Sequence, residues 1–178
     1  MATPGPVVQL AGATSIHAGN FHTCATLPGG AARCWGANSS NQLGDGTTTA
    51  SSVPVTVLRA SPSGDVPATG IQSLAAGGFH SCSVSREGLV DLGLCWGSNF
   101  SGQLGGGVSL VPGYPQLVTT LDRVRQVTGG RDSSCAIAEE GAAYCWGDNS
   151  QGQLGRGTTS SFGTANPTPV EVTGLGPI

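Results

Sequence analysis

The sequence predicts an all-β chain, and three observations predict it. The 178 residues include 30 glycines and 11 prolines, both of which penalise helix interiors. Apolar residues make up 38% of the chain and fall in short alternating runs rather than at helical spacing. One long segment also recurs three times, with turn residues at fixed places in each copy. Collagen is excluded because no G-x-y triplet runs through the chain. Disorder is excluded by a net charge of only -3 and a near-normal apolar content. No run approaches the roughly 20 apolar residues that cross a bilayer as a helix.

The copies read IHAGNFHTCATLPGGAARCWGANSSNQLGDGT from Ile16, LAAGGFHSCSVSREGLVDLGLCWGSNFSGQLGGG from Leu74, and VTGGRDSSCAIAEEGAAYCWGDNSQGQLGRGT from Val127. They share a glycine, a cysteine, a hairpin, and then C-W-G-x-N-x-x-x-Q-L-G-x-G. Chance does not produce three copies of so long a frame. The expected organisation is a leading strand over 1–15 and repeats over 16–73, 74–126 and 127–178.

Within each repeat the elements follow in order. His22 to Thr26 alternates as a strand, Leu27-Pro28-Gly29-Gly30 turns, and Ala31 to Trp35 returns. Pairing symmetric about Gly29 sets Cys24 opposite Cys34 and Thr23 opposite Trp35. The third repeat sets Cys135 opposite Cys145 and Ser134 opposite Trp146; the second has a longer hairpin. A glycine-constrained loop follows the tryptophan, with Gly36, Gly44 and Gly46 in the first copy. A proline-flanked strand closes each repeat, as Val53 to Val57, Tyr114 to Val118, and Pro169 to Val172. A similar segment opens the chain from Pro4 to Leu10, so this strand type occurs four times.

The motif G-x-x-H-T/S-C followed by C-W-G-x-N-x-x-G-Q-L-G-x-G-T resembles the regulator of chromosome condensation repeat. Residues 74–105 and 127–158 match it most closely, and 16–48 follow with Asn41 in place of the usual glycine. The resemblance covers nearly the whole chain. It implies one four-stranded β-propeller blade per repeat, with seven blades typical of a closed ring. A blade cannot bury its own apolar face and needs neighbours. Three blades therefore form an incomplete propeller arc, completed by other copies or by chain not included here.

Six cysteines, two per repeat on facing strands, predict the disulfides Cys24–Cys34, Cys82–Cys95 and Cys135–Cys145, and an oxidising setting. Six reduced buried thiols are the competing reading, and a thiol count separates the two. Zinc is weighed because His22, Cys24 and Cys34, and again His80, Cys82 and Cys95, share strand faces. The third repeat has Asp132 where the histidine would be, so no metal site is expected. A calcium loop at Asp148 is set aside because the equivalent positions are Ala37 and Ser98.

Trp35, Trp96 and Trp146, with Leu43, Leu104 and Leu154, read as packing between blades. Asn38 and Asn99 open two sequons at matching loop positions and are candidate glycosylation sites. No G-x-S-x-G elbow, phosphate-binding loop or paired carboxylates accompany the histidines, so neither catalysis nor a cofactor is expected. The seven basic residues are all arginine and are scattered, at a sequence pI near 5.4, which excludes a nucleic-acid footprint.

The functional expectation is a secreted, non-enzymatic scaffold, extracellular or at the cell surface, with any signal peptide absent or removed. Its partners are other copies of itself, joined through terminal strands carrying Val7, Val8, Leu10, Val170 and Val172 into a ring or filament. The alternative is a propeller fragment that binds a protein ligand through its blade loops, like an inhibitor or an adhesin. The resemblance also implies a guanine-nucleotide exchange role for a small GTPase, which ranks last because the ring is incomplete and no basic tail is present.

Overall fold

The computed structural model describes residues 5–106 and 112–175. The first sheet contains β1 (Ser15–Ala18), β2 (His22–Thr26), β3 (Ala32–Gly36) and β4 (Ser51–Thr56). A small ribbon of β5 (Leu58–Arg59) and β6 (Val66–Pro67) leads into the second sheet. That sheet contains β7 (Ile71–Ala76), β8 (His80–Glu87), β9 (Val90–Gly97) and β10 (Gln116–Leu117). The third contains β11 (Val124–Gly129), β12 (Ser133–Ala138), β13 (Ala143–Gly147) and β14 (Val170–Glu171). Each sheet is an antiparallel meander whose strand order follows the chain. The fold is thus all-β, with three propeller blades in a partial ring.

Hairpin symmetry explains the register at the centre of every blade. Cys24 pairs with Cys34, Cys82 with Cys95, and Cys135 with Cys145, and all three pairs are disulfide-bonded. Thr23, Ser81 and Ser134 then stand opposite Trp35, Trp96 and Trp146. The longer second hairpin extends this pairing out to Glu87 and Val90.

The apolar core lies between blades rather than within them. One cluster joins Cys24, Cys34, Leu43 and Val57 of the first blade to Ile71, Leu74 and Trp96 of the second. The other joins Cys82, Cys95, Leu104 and Val118 to Val124, Val127, Ala136 and Trp146. Near the inner strand ends the backbones nearly touch, which only glycine allows. A Cβ on Gly77 would collide with His80 Cε1 and stand 2.7 Å from the Gly130 carbonyl oxygen. Backbone bonds cross here too, from Asn20 N to Gly77 O at 3.2 Å and from Gly78 N to Arg131 O at 2.9 Å.

The opening segment departs from expectation. Residues 7–10 form a turn, not a fourth copy of the proline-flanked strand, and Pro4 lies outside the described residues. Gln9 adopts φ 57, which breaks an extended run, and its carbonyl accepts a bond from Arg33 at 2.8 Å. Val7 and Val8 are exposed. At the other end Val170 is in β14, opposite Cys145 of its own blade, and Val172 N bonds to the Ala143 carbonyl. The C-terminal strand is therefore used within its own blade.

Candidate interaction surface

The loop after each tryptophan is built by its own side chains. The Asn38, Asn99 and Asn149 carboxamide oxygens accept the main-chain N–H of Leu43, Leu104 and Leu154 at 3.0, 3.1 and 3.1 Å. The Gln42, Gln103 and Gln153 side chains curl back to accept N–H groups two residues earlier, each at 2.9 Å. Asn41 takes φ 62 where Gly102 and Gly152 take 82 and 78, so asparagine substitutes for glycine in the left-handed region. In the first two loops the effect is to present the Gln42 and Gln103 main-chain carbonyls towards the next blade.

The next blade grips that carbonyl twice. Trp96 Nε1 and Ser81 Oγ donate to Gln42 O at 3.0 and 2.9 Å. Trp146 Nε1 and Ser134 Oγ donate to Gln103 O, both at 2.8 Å. The tryptophan ring lies over the glycine of Q-L-G: a Cβ on Gly44 or Gly105 would come within 2.7 Å of its Nε1. Both glutamines and both tryptophans are fully buried.

A histidine completes each seam. His22 Nε2 meets Ser81 Oγ at 2.8 Å, and His80 Nε2 meets Ser134 Oγ at 2.9 Å. Each serine has already given its single proton to a glutamine carbonyl, so the histidine nitrogen is the donor and carries its hydrogen on Nε2. The Nδ1 atoms have no partner among the described residues. Burial lowers both pKa values to about 4, and the charge of His22 adds to the effect at His80. The histidines are neutral at physiological pH. These Ser–His pairs do not form a nucleophile: the serine proton points away from the imidazole, and Ser81 and Ser134 are buried in the seams.

The third blade breaks the series. Register puts Ser133 opposite Gly147, as His22 and His80 stand opposite Gly36 and Gly97. Ser133, not Asp132, therefore occupies the histidine position, and Asp132 matches Phe21 and Phe79. Those two rings stack at 4.8 Å, with Phe21 exposed. No group of three His, Cys, Asp or Glu that could hold a metal occurs among the described residues, and the cysteines are all in disulfides.

Two candidate positions behave differently from expectation. Asn38 is fully buried, and its Nδ2 donates to Asp45 and to the Thr47 and Thr49 main chain, bonds that a glycan on this nitrogen would displace. Asn99 is half-buried. Trp35 is only half-buried, and none of the described blades offers it a glutamine carbonyl. Hydrogen-bonding roles for His22 and His80 near the inner end of the blade were readable from the sequence, whereas the carbonyl grip and the serine partners of the histidines were not. A main-chain oxygen has no residue type of its own, although the joint recurrence of His, Thr/Ser, Trp and Gln could have signalled them.

Two family models of the regulator of chromosome condensation (RCC1) repeat match the chain, one over residues 30–84, 94–137 and 140–178, the other over 13–42 and 124–153. The mitochondrial RCC1 domain-containing protein RUG3 of Arabidopsis thaliana is 33% identical over 129 residues, covering 71% of this chain and 27% of that protein. Prp20p of Saccharomyces cerevisiae has the same fold, with TM-score 0.74 and 22% identity over 94% of this chain and 40% of that one. The yeast RCC1 (Prp20) bound to Kap60 gives 0.75, 20%, 94% and 38%, and human WBSCR16 gives 0.70, 18%, 94% and 39%. The chain thus spans well under half the length of these proteins. With half its length and more matched by the repeat, the chain belongs to the regulator of chromosome condensation (RCC1) repeat family.

Proposed function

We propose that the protein is a non-enzymatic scaffold whose propeller blades self-associate. The observation that carries this reading is the pair of uncovered faces at the two ends of the arc. Gln42 and Gln103 are fully buried in seams, whereas Gln153 is exposed; Trp96 and Trp146 are fully buried, whereas Trp35 is not. Half a junction is left at each end, and burying both faces would supply apolar contact that one arc lacks. Terminal-strand pairing would act alongside: β14 is short, and Val170 on it is exposed. Three disulfides favour an oxidising setting, extracellular or at the cell surface. Native mass measurement with negative-stain electron microscopy tests the reading. A ring or fibre is expected, and a stable monomer at micromolar concentration rejects it.

A second reading has its own observation. Exposed Phe21 stacks on half-buried Phe79 in the loops at the inner strand ends, where a protein ligand could dock. Yeast Prp20p binds Gsp1p and histones, and yeast RCC1 (Prp20) has been seen bound to Kap60, so protein partners are known within this fold. An exchange role for a small GTPase ranks last; unchanged nucleotide release in the presence of the protein is the expected result.

A further inference from the structure

The geometry points to a specific head-to-tail contact between copies, in which Trp35 and Thr23 of one copy grip the Gln153 main-chain carbonyl of another. It rests on the self-association proposed above and names the contact that would produce it. The two internal seams supply the template. In each, a tryptophan N–H and the hydroxyl opposite it converge on a glutamine carbonyl, and the indole lies over the glycine two residues later.

Both halves of this arrangement recur, unjoined, at the ends of the arc. On the first blade Thr23 stands opposite Trp35, in the register that sets Ser81 opposite Trp96. Trp35 is half-buried, and its Nε1 has no partner among the described residues. On the third blade the loop is already shaped. Asn149 Oδ1 holds Leu154 N at 3.1 Å, Gln153 Oε1 holds Gln151 N at 2.9 Å, and Leu154 is fully buried. Gly155 keeps φ +66, close to the 70 and 71 of Gly44 and Gly105. A Cβ on Gly44 or Gly105 would meet an indole, whereas one on Gly155 would meet only Val172 of its own blade. The tryptophan seat is formed and empty.

The occupant is a second copy because this chain carries the matching half itself, in the residue types that fill the same seat twice within it. The contact differs from the internal seams in one respect. Ser133 holds the histidine position, so it lacks the imidazole bond to the gripping hydroxyl. It keeps two of the three polar contacts of an internal seam and is the weaker joint, suited to assembly that reverses. Because it joins unlike faces, it propagates until the rotation closes into a ring or continues as a filament.

Complementary blocking tests this. Trp35→Ala removes the plug and Gly155→Gln fills the seat, each on the full chain, with disulfide content and far-ultraviolet dichroism confirming the fold. Sedimentation should show each variant alone as a monomer. A 1:1 mixture should form dimers and nothing longer, because only one intact plug and one intact seat remain. The milder pair Trp35→Phe with Thr23→Val, which removes only the two donors, should weaken self-association about tenfold or more. A wild-type monomer would overturn the self-association reading and this contact together. A wild-type assembly unaffected by Trp35→Ala and Gly155→Gln would overturn the contact alone and leave the terminal strands as the joint.

Discussion

Trp96 Nε1 donates to the Gln42 carbonyl oxygen at 3.0 Å, reaching from the second blade to a loop of the first. The bond ties the largest side chain of one repeat to the least variable atom of another, a main-chain oxygen. Since Ser81 Oγ shares that oxygen at 2.9 Å, the carbonyl has both lone pairs occupied in a site without water access.

Truncating this tryptophan should be costly in a way that its first-repeat counterpart is not. Trp96→Ala should destabilise by about 3–5 kcal/mol through lost burial and the cavity left behind. Trp96→Phe should cost roughly 1–3 kcal/mol, part of it the lost bond. Trp35→Phe, in dilute solution where copies do not associate, should stay within about 1 kcal/mol because that ring is half-buried. Urea denaturation measures all three. Equal losses for Trp35→Phe and Trp96→Phe would contradict the seam assignment.

Glycine at the inner strand ends is a packing requirement rather than a turn requirement. Gly77→Ala places a methyl against His80 Cε1 and 2.7 Å from Gly130 O, and Gly130 belongs to the neighbouring blade. The expected loss is about 2 kcal/mol or more. Gly5→Ala, with nothing within 4 Å of the added atom, should leave the denaturation midpoint unchanged. A tolerated Gly77→Ala would mean that the seams open more easily than their backbone bonds suggest.

The sequence made some of this legible and hid the rest for physical reasons. Symmetric hairpins around Gly29 and Glu140 placed each cysteine opposite its partner, because strand pairing leaves no freedom once the turn is known. Asn41 was readable as a glycine substitute because few other residues enter the left-handed region. The segment Val7 to Leu10 misled because a proline-valine run looks like a strand whether or not a neighbour pairs with it, and here Gln9 turns the chain. The seams were not legible as bonds. Their acceptor is a carbonyl, and the proton direction of Ser81 depends on residues from two repeats.

The buried asparagine of the first loop predicts the fate of its sequon. Asn38 satisfies Leu43 N through Oδ1 and donates from Nδ2 to Asp45 and to the Thr47 and Thr49 carbonyls. A glycan on Nδ2 would remove donors from a fully buried site. Intact mass of folded protein from a glycosylating host should show Asn38 unmodified, and Asn38→Ala should cost roughly 2–4 kcal/mol. A glycan found at Asn38 in protein with native spectra would overturn this account of the loop.

Each disulfide closes a short loop, of sequence separation 10, 13 and 10. Chain-entropy reasoning gives about 2–3 kcal/mol for one such bridge. The Cys135→Ser, Cys145→Ser double variant should lose that amount in urea denaturation while the first two blades stay oxidised. Thiol titration of denatured, unreduced wild type should find no reactive cysteine. Six titratable thiols would remove the oxidising-compartment argument along with the bridges.

Acid should loosen the seams through His22 and His80. Both have folded pKa values of about 4 against an ordinary 6.5, because burial disfavours the imidazolium. Between those pH values the unfolded chain binds more protons than the folded one, so stability falls as pH falls. The histidine contribution is intact above pH 6.5 and is lost progressively from there down to about pH 4. The effect of each histidine is bounded at roughly 3 kcal/mol. The groups bonded to the imidazoles, Ser81 and Ser134, do not titrate in this range and do not oppose it. Urea midpoints measured from pH 7.5 to 4 should decline, and His80→Asn should flatten the decline even though it lowers stability at neutral pH. An unchanged slope in His80→Asn would show that the acid sensitivity arises elsewhere in the chain.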